Sequence, residues 1–405
     1  MTPAMPIVAV LFAAPPPPGV AAPLIAGGIT VLERQRRQVR RAGVSRVIVV
    51  GDTPFDPASL DGDGNVLVID PGIILDDRIV ALVAAAVAPA VAPAVATWPA
   101  ASGFGTERID GRDTAAGIAL YPAALVRATA TALGDWDLGA TLLRAALAGG
   151  ATRIDLAAQP VWAAGRERDV PLVWARPDDA DGAAAATTAL LAAARADGGG
   201  WPLRVVTPPV DDALVRLLLP WPVLADADAV AVAAFAAALG AAAAFATGWL
   251  WTGLLLALGG GALAGAAVIL ARVRVENARR RGAGAAAAVI DYSWYAALAA
   301  HFAAAGQAGA WALAAMIIGF ALAAREQSAF VRRVTGRPLA AAGAFERRVA
   351  LFGAGRDTRL WALLPFAAAG RWYAGFAVLA VYTAATFFAV QRRSFIALDA
   401  SRTTA

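Results

Sequence analysis

Long apolar runs fill the second half of the chain, and they constrain its fold more than any other feature. A helix needs about 20 apolar residues to cross the hydrocarbon core of a bilayer. Hydrophobic residues make up 59% of the 405 residues, above the usual share in globular proteins. The sequence predicts an all-α, six-helix transmembrane domain at residues 227–405. The fifth predicted span is the weakest, because Arg371 follows directly on its apolar run. The predicted spans cover residues 227–249, 250–271, 283–305, 308–324, 360–370 and 372–390.

Clusters of arginine follow the second, fourth and sixth apolar runs. Because cytoplasmic loops are enriched in basic residues, a cytosolic amino-terminal domain places every cluster on the cytosolic side. We therefore predict a multi-pass protein of the bacterial inner (cytoplasmic) membrane, with its soluble domain and both termini in the cytosol. The clusters comprise Arg279–Arg281, Arg325, Arg332, Arg333, Arg337, Arg347, Arg348, Arg392 and Arg393.

Strands and helices alternate in the first half of the chain. Apolar, β-branched segments predict strands, and a 3.6-residue apolar period with arginines on the opposite face predicts a helix. This order predicts a doubly wound α/β domain at residues 1–200. The predicted strands cover residues 6–13, 44–50 and 65–69, and the predicted helices cover 29–42 and 76–87.

Residues 201–226 connect the two predicted domains. The segment is amphipathic and contains several prolines, and Trp201 and Trp221 suit the headgroup region of a membrane. Two interpretations stay open, a juxtamembrane helix on the membrane surface and an ordinary connecting helix.

Three residue types are scarce, and their scarcity excludes several kinds of site. The chain has no cysteine, which excludes disulfides and thiolate metal sites. His301 is the one histidine, so clustered imidazole ligands are excluded, and its apolar helix favours a packing role. All 35 basic residues are arginine, and the net charge of +5 fits arginines flanking membrane spans. No arginine–aromatic interleaving indicates nucleic-acid binding.

Residues 269–295 contain a spaced pattern that resembles the signature of the CDP-alcohol phosphatidyltransferases. That family carries D-x-x-D-G-x-x-A-R and then G-x-x-x-D-x-x-x-D, and its four aspartates hold divalent metals. Here Ala278 and Arg279 align with the A-R pair, and Asp291 aligns with the third aspartate. The other three aspartate positions hold Ala271, Arg274 and Tyr295.

One aspartate of four is a poor site for Mg²⁺, which needs several oxygen ligands. Asp291 is the candidate for a vestigial catalytic or metal-binding role, or it pairs with an arginine such as Arg279 as a structural link. The resemblance implies a phosphate- or ligand-binding role for Arg274, Glu276, Ala278, Arg279 and Arg356. Arg356-Asp357 resembles a cytosolic element of the relatives, or is simply the start of a helix. We expect no cofactor, and Mg or Mn only if catalysis survives.

The first half resembles a second family, the sugar-nucleotide-type nucleotidyltransferases, over roughly residues 6–194. The two halves together resemble the bifunctional inositol-phosphate cytidylyltransferase fusions. Where those enzymes have a glycine-rich phosphate loop, this chain has Pro15–Pro18, and proline has no N–H to donate. The phosphate-binding lysine of the family is also missing. Asp70 stands where the family holds a metal-binding aspartate, but an ordinary Asp-Pro-Gly turn is the favoured explanation.

Both halves thus lack the phosphate or metal chemistry of the families that they resemble. The first hypothesis is a noncatalytic membrane protein that binds a ligand, acts as a scaffold or regulates phospholipid-headgroup synthesis. The alternative is an active phosphotransferase that moves a phosphoalcohol from a CDP-linked donor with a rebuilt metal site. Small-molecule transport is a third hypothesis, based only on the number of spans. The expected partners are the phospholipid membrane, a second copy through the membrane domain, and lipid-synthesis enzymes, but no nucleic acid.

Overall fold

The chain forms two compact units in the computed structural model. The α/β unit comprises residues 1–161, 170–193 and 273–277, and the helical unit comprises residues 162–169, 194–272 and 278–405. The structure describes residues 7–14, 23–51, 55–60, 64–86, 92–133, 137–163, 168–195, 201–221, 225–276, 280–335, 348, 351–353 and 355–403.

Thirteen strands, thirteen α-helices and two short 3-10 helices (Pro57–Ser59 and Ala100–Ser102) are described. The strands are β1 (Ile7–Phe12), β2 (Ile25–Ala26), β3 (Ile29–Thr30), β4 (Arg46–Val50), β5 (Asn65–Ile69), β6 (Ile74–Leu75), β7 (Ala94–Pro99), β8 (Glu107–Arg108), β9 (Asp113–Pro122), β10 (Thr152–Asp155), β11 (Trp162–Ala163), β12 (Arg168–Asp169) and β13 (Trp174–Ala175). The helices are α1 (Val31–Arg41), α2 (Asp77–Ala85), α3 (Ala123–Thr131), α4 (Leu138–Ala148), α5 (Ala180–Ala194), α6 (Trp201–Val205), α7 (Thr207–Leu218), α8 (Ala227–Ala246), α9 (Leu250–Val273), α10 (Arg280–Ala304), α11 (Ala310–Thr335), α12 (Arg356–Ala368) and α13 (Trp372–Thr403).

The main sheet of the α/β unit has the strand order β10-β7-β9-β5-β1-β4, with β8 beside β9. β1 runs parallel to both β4 and β5, whereas β9 runs antiparallel to β5 and β7. The predicted α/β class is confirmed, and the sheet is mixed. All three predicted strands and both predicted helices of the first half are present, with ends that shift by up to two residues.

Apolar residues cover both faces of this sheet because successive side chains of a strand point to opposite sides. Ala9 and Leu11 of β1 pack with Val39 of α1 on one face, and Val10 packs with Val126 of α3 on the other. All five residues are essentially inaccessible to solvent. A strand buried on both faces reads as a continuous apolar run, which is why residues 6–13 could be assigned from the sequence.

Local capping determines where α1 and α2 begin. Thr30 Oγ1 accepts a hydrogen bond from the backbone N–H of Glu33 at 3.2 Å. Asp76 does the same for the N–H of Arg78 at 3.0 Å. Each side chain satisfies one of the N–H groups that a helix leaves unpaired in its first turn.

Antiparallel hairpins build most of the helical unit. The turns after α8, α10 and α12 each place a glycine in the left-handed region, with φ of 83° at Gly248, 86° at Gly306 and 69° at Gly370. The N–H of the residue after each glycine bonds back five residues, for example Trp249 to the carbonyl of Ala244 at 2.8 Å. These Schellman caps satisfy the last carbonyls of each helix and reverse the chain.

A buried cluster of aromatic and small residues holds the hairpins together. Phe245, Trp294 and Phe376 are almost completely buried in this cluster. Trp294 Nε1 donates a 2.7 Å hydrogen bond to the carbonyl of Ala238, so the indole N–H is satisfied inside the core.

The predicted number of membrane spans needs correction. Within the described residues, four helical segments are long and apolar enough to cross a bilayer: Ala227–Ala246, Leu250–Val273, Ala310–Thr335 and Trp372–Ile396. α12, which replaces the fifth predicted span, has only 13 residues and so extends roughly 20 Å, against about 30 Å for the hydrocarbon core. α10 has 25 residues but includes Asp291 and His301, and it is not among the four.

Candidate functional site

The strand order of the α/β unit creates a crevice at one edge of its sheet. β4 lies on one side of β1 and β5 on the other, and the three strands are parallel. The connections that leave the carboxyl ends of β1 and β5 therefore diverge. In open α/β sheets such a topological switch point is the usual place for a ligand.

A cavity of about 480 Å³ lies at this switch point. Phe12 and Ala14 line it from the end of β1, Pro71 and Gly72 from the turn after β5, and Arg176 from the segment that follows β13. The cavity is large enough for a small organic ligand, and its wall is mainly apolar. Residues 15–22, which include Pro15–Pro18, lie outside the described part of the chain.

Gln35 of α1 provides the buried polar group of the cavity wall. Its Nε2 donates to the carbonyls of Ile73 at 2.9 Å and Asp70 at 3.2 Å, which fixes the orientation of the amide. Its Oε1 is buried and accepts no hydrogen bond from any described residue. Because buried polar atoms are normally paired, this oxygen is an open acceptor for a ligand N–H or O–H group.

Asp70 directly follows β5, but its carboxyl group lines a second, smaller cavity of about 30 Å³. Thr106 Oγ1 donates to Asp70 Oδ2 at 3.1 Å. A Cβ atom at Gly117 or Gly139 would lie only 3.1 or 3.3 Å from the carboxylate oxygens, so the group packs closely against both glycines. Burial raises the pKa of Asp70, and the Thr106 hydrogen bond and the charge of Arg176 oppose the rise. A carboxyl group that resists ionisation is a weak metal ligand.

Arg274 and Glu276, two predicted ligand-binding residues, lie in the part of the α9–α10 connection that belongs to the α/β unit. Arg274 is buried, and its Nε lies 3.2 Å from Glu276 Oε1. Three arginines of α1 donate to the backbone of this segment: Arg34 to Val273 O, Arg37 to Arg274 O at 3.1 Å and Arg41 to Glu276 O at 2.6 Å. Both predicted residues are therefore held in an ion-pair network.

Tyr295 occupies the last aspartate position of the family pattern, and it is buried in the helical unit. Arg359 Nε donates to its hydroxyl oxygen at 2.9 Å, and the Arg359 guanidinium carbon lies 5.4 Å from the centre of the phenol ring. Ala271 is also buried.

Arg356 lies with its guanidinium carbon 5.1 Å from the centre of the Trp294 ring, a cation–π contact.

The remaining predicted residues are only partly placed. Asp291 lies in α10, and its side chain is outside the described part of the structure, as are Ala278 and Arg279. Sequence reasoning missed Gln35, Arg359 and Asp211, and it noted Asp357 only as part of Arg356-Asp357, without its proximity to Asp211. Asp211 lies in an amphipathic segment, where an acidic residue is expected on the exposed face. It is buried, and only the packing of α7 reveals this.

A scan against protein-family models and a search of the curated proteins each found no match.

Proposed function

We propose that this chain is a membrane protein related to the CDP-alcohol phosphatidyltransferases that binds a ligand in its α/β unit and performs no headgroup transfer. Its four long apolar helices fit a membrane protein. The catalytic part of the proposal rests on the residues at the family's metal positions, and the binding part rests on the cavity at the switch point.

The contact between Tyr295 and Arg359 is the observation that carries the loss of catalysis. A metal-binding aspartate at position 295 would provide negative charge, whereas Tyr295 brings a neutral hydroxyl group and a bound guanidinium. Arginine keeps its charge in proteins, so this position repels a divalent cation. Transfer from a CDP-linked donor needs metal charge on the pyrophosphate, and the substitution removes it.

The cavity supports a binding role through three features. Gln35 Oε1 offers a buried acceptor, Arg176 offers one positive charge at the wall, and Phe12 offers an apolar surface. A ligand that fits has a hydrogen-bond donor, an apolar face and at most one or two negative charges. We expect CTP to bind weakly, since a triphosphate needs backbone N–H groups or lysines that Pro15–Pro18 and a lysine-free chain do not provide.

Measurement of CMP release tests the catalytic half of the proposal. Purified full-length protein in detergent is incubated with several CDP-alcohols, Mg²⁺ or Mn²⁺, and acceptor alcohols. We expect no CMP above the level without protein, and no difference between the wild type and Asp291→Asn. Metal-dependent CMP release that disappears in Asp291→Asn would instead establish the alternative, an active transferase with a rebuilt metal site.

Binding to the cavity is tested separately by calorimetry with CMP, CTP, cytidine and myo-inositol phosphate. We expect a ligand of low charge to bind more tightly than CTP, with Gln35→Leu weakening it about tenfold by removal of the acceptor. Gln38→Leu is the matched control, because Gln38 lies one turn further along α1 and is not part of the cavity wall. If CTP binds at low micromolar concentration and Asp70→Ala abolishes binding, the phosphate loop has been replaced rather than lost.

A further inference from the structure

Two aspartates of the helical unit lie against one glycine-rich face of α9. Asp211 of α7 packs on Gly265: a Cβ atom built there would lie 2.7 Å from Oδ2 and 3.0 Å from Oδ1. Asp357 of α12 packs on Gly261, where a Cβ atom would lie 3.4 Å from Oδ1. The Asp211 carboxylate therefore occupies space that a side chain at Gly265 would need, and the Asp357 carboxylate lies at contact distance from the Cβ position of Gly261.

The two contact points are one helical turn apart. Gly261 and Gly265 are related by i, i+4, so they share a face of α9 and lie roughly 6 Å from each other. Carboxylates from two other helices thus converge on a short stretch of backbone. In the described part of the chain no third aspartate, glutamate or histidine completes a larger cluster with them.

Asp211 is buried, and one of its carboxylate oxygens has no hydrogen-bond partner among the described residues. Its exposed fraction is 8%, and the unpartnered oxygen, Oδ1, is inaccessible to solvent. Arg195, the basic residue whose charge acts on Asp211, forms a two-pronged ion pair with the neighbouring Asp212, with Nε to Oδ1 at 3.0 Å.

Two arginines near Asp357 have contacts of their own. Arg356 Nη2 comes within 3.8 Å of the Cβ position of Gly261, but its guanidinium lies over Trp294. Arg359 donates to Tyr295. Both arginines lower the pKa of Asp357, and burial raises it more strongly.

A buried carboxylate without a partner is costly, and the cost is removed by a bound cation or by a proton. We propose that Asp211 and Asp357 together bind one divalent cation of the Mg²⁺ or Mn²⁺ type on the glycine face of α9. Two carboxylates neutralise the charge of such an ion. Mg²⁺ commonly binds proteins through one or two carboxylates and keeps several waters, so a third acidic ligand is unnecessary.

The absence of side chains at Gly261 and Gly265 lets both carboxylates approach the same stretch of α9. The pKa of Asp211 supports the same conclusion: burial, and then the charge of Asp357, raise it to about 7, against the attraction of Arg195. A proton therefore competes with a metal ion for Asp211 near neutral pH. This site uses α7 and α12, and it is separate from the family pattern at residues 269–295.

Binding of Mn²⁺ to the full chain in detergent, followed by electron paramagnetic resonance at pH 8, tests the proposal. We expect one bound Mn²⁺ per chain, displaced by Mg²⁺. Asp211→Asn and Asp357→Asn should each weaken binding about tenfold or more, because the amide keeps the shape of the side chain and removes the charge. Asp228→Asn is the matched control, since it neutralises an exposed aspartate in the first turn of α8 and should keep the affinity of the wild type.

Further variants keep the proposal falsifiable if an aspartate substitution disturbs folding. Gly265→Ala displaces the Asp211 carboxylate and should also weaken Mn²⁺ binding, whereas Gly259→Ala, with open space at its Cβ position, should not. The proposal is overturned if the wild type binds no Mn²⁺. It is equally overturned if Asp291→Asn or Asp70→Asn removes the signal while Asp211→Asn and Asp357→Asn leave it intact. CMP release, measured on the same samples, reports separately on catalysis.

Discussion

The α/β unit and the helical unit each bury an aspartate against glycine, and they treat the carboxyl group differently. Asp70 accepts a hydrogen bond from Thr106 and packs between Gly117 and Gly139. Asp211 packs on Gly265, and its Oδ1 has no donor among the described residues. A buried acid with a built-in partner serves the fold, whereas one without a partner indicates that something else binds there.

The glycines beside the two aspartates differ in the same way. Gly117 has φ of 73°, and a Cβ atom there would lie 2.0 Å from Ile73 Cδ1 and 3.1 Å from Asp70 Oδ2. Gly265 lies inside a regular helix, and the three atoms nearest to a Cβ atom there all belong to the carboxylate of Asp211. Gly117 is required both by its left-handed backbone conformation and by the packed core around it. Gly265 only leaves room for a carboxylate.

The largest expected effect is therefore that of Gly117→Ala. We expect it to lower the free energy of unfolding by about 3 kcal/mol or more, since it combines a left-handed conformation with a core clash. Gly265→Ala should cost about 1 kcal/mol or less, since alanine favours the helix and Asp211 can rotate away. Thermal unfolding of both variants in detergent measures the difference. Equal losses would mean that Asp211 is held as rigidly as Asp70.

The part of this contrast that concerns the α/β unit could largely be predicted from the sequence. The apolar runs of β1, β4 and β5 and the polar face of α1 have the periods of strands and a helix, so these elements could be predicted. Asp70 could also be singled out, because it follows a buried strand. The direction of β9 could not be predicted, since nothing in its residues specifies which neighbours it joins or in which sense.

The proximity of Asp211 and Asp357 could not be predicted from the sequence, for a different physical reason. Asp211 and Asp357 are 146 positions apart in the chain, and each sits in a helix with polar neighbours that explain it as a surface residue. Their burial depends on how α7 and α12 pack on α9, which local patterns do not encode. The excess of predicted spans has a plainer origin: the fifth predicted run was short and became a helix of 13 residues, and α10 includes Asp291 and His301.

The second expected effect is a pH dependence that Asp211 contributes in metal-free buffer. Burial and the charge of Asp357 raise its pKa from 3.8 to about 7 in the folded protein. The folded state therefore binds more protons than the unfolded state between these values, and stability falls as pH rises through this window. We expect a loss of ~1–2 kcal/mol between pH 4 and pH 8, after allowing for solvent screening.

Asp211→Asn removes that titration and is the direct check. Its thermal stability relative to the wild type should rise from pH 4 to pH 8, and addition of Mg²⁺ should restore the wild type but not the variant. Asp228→Asn, which neutralises an exposed aspartate of α8, should show no such trend. A pH profile of Asp211→Asn that runs parallel to that of the wild type would contradict the raised pKa.

The smallest expected effect comes from making Asp70 resemble Asp211. Thr106→Val keeps the shape of the side chain and removes the hydroxyl donor, so Asp70 loses the hydrogen bond that stabilises its ionised form. We expect a cost of about 1 kcal/mol at an alkaline pH, where the carboxyl group is ionised, and a smaller cost at an acidic pH, where it takes up a proton. Thermal unfolding of the wild type and the variant at the two pH values measures it, with Thr131→Val, whose hydroxyl bonds only within an exposed helix end, as the control. A cost that is the same at both pH values would mean that Asp70 stays neutral throughout. Asp70 would then be a packing residue that never ionises in the folded protein. It would differ from Asp211 in its titration as well as in its hydrogen bonding.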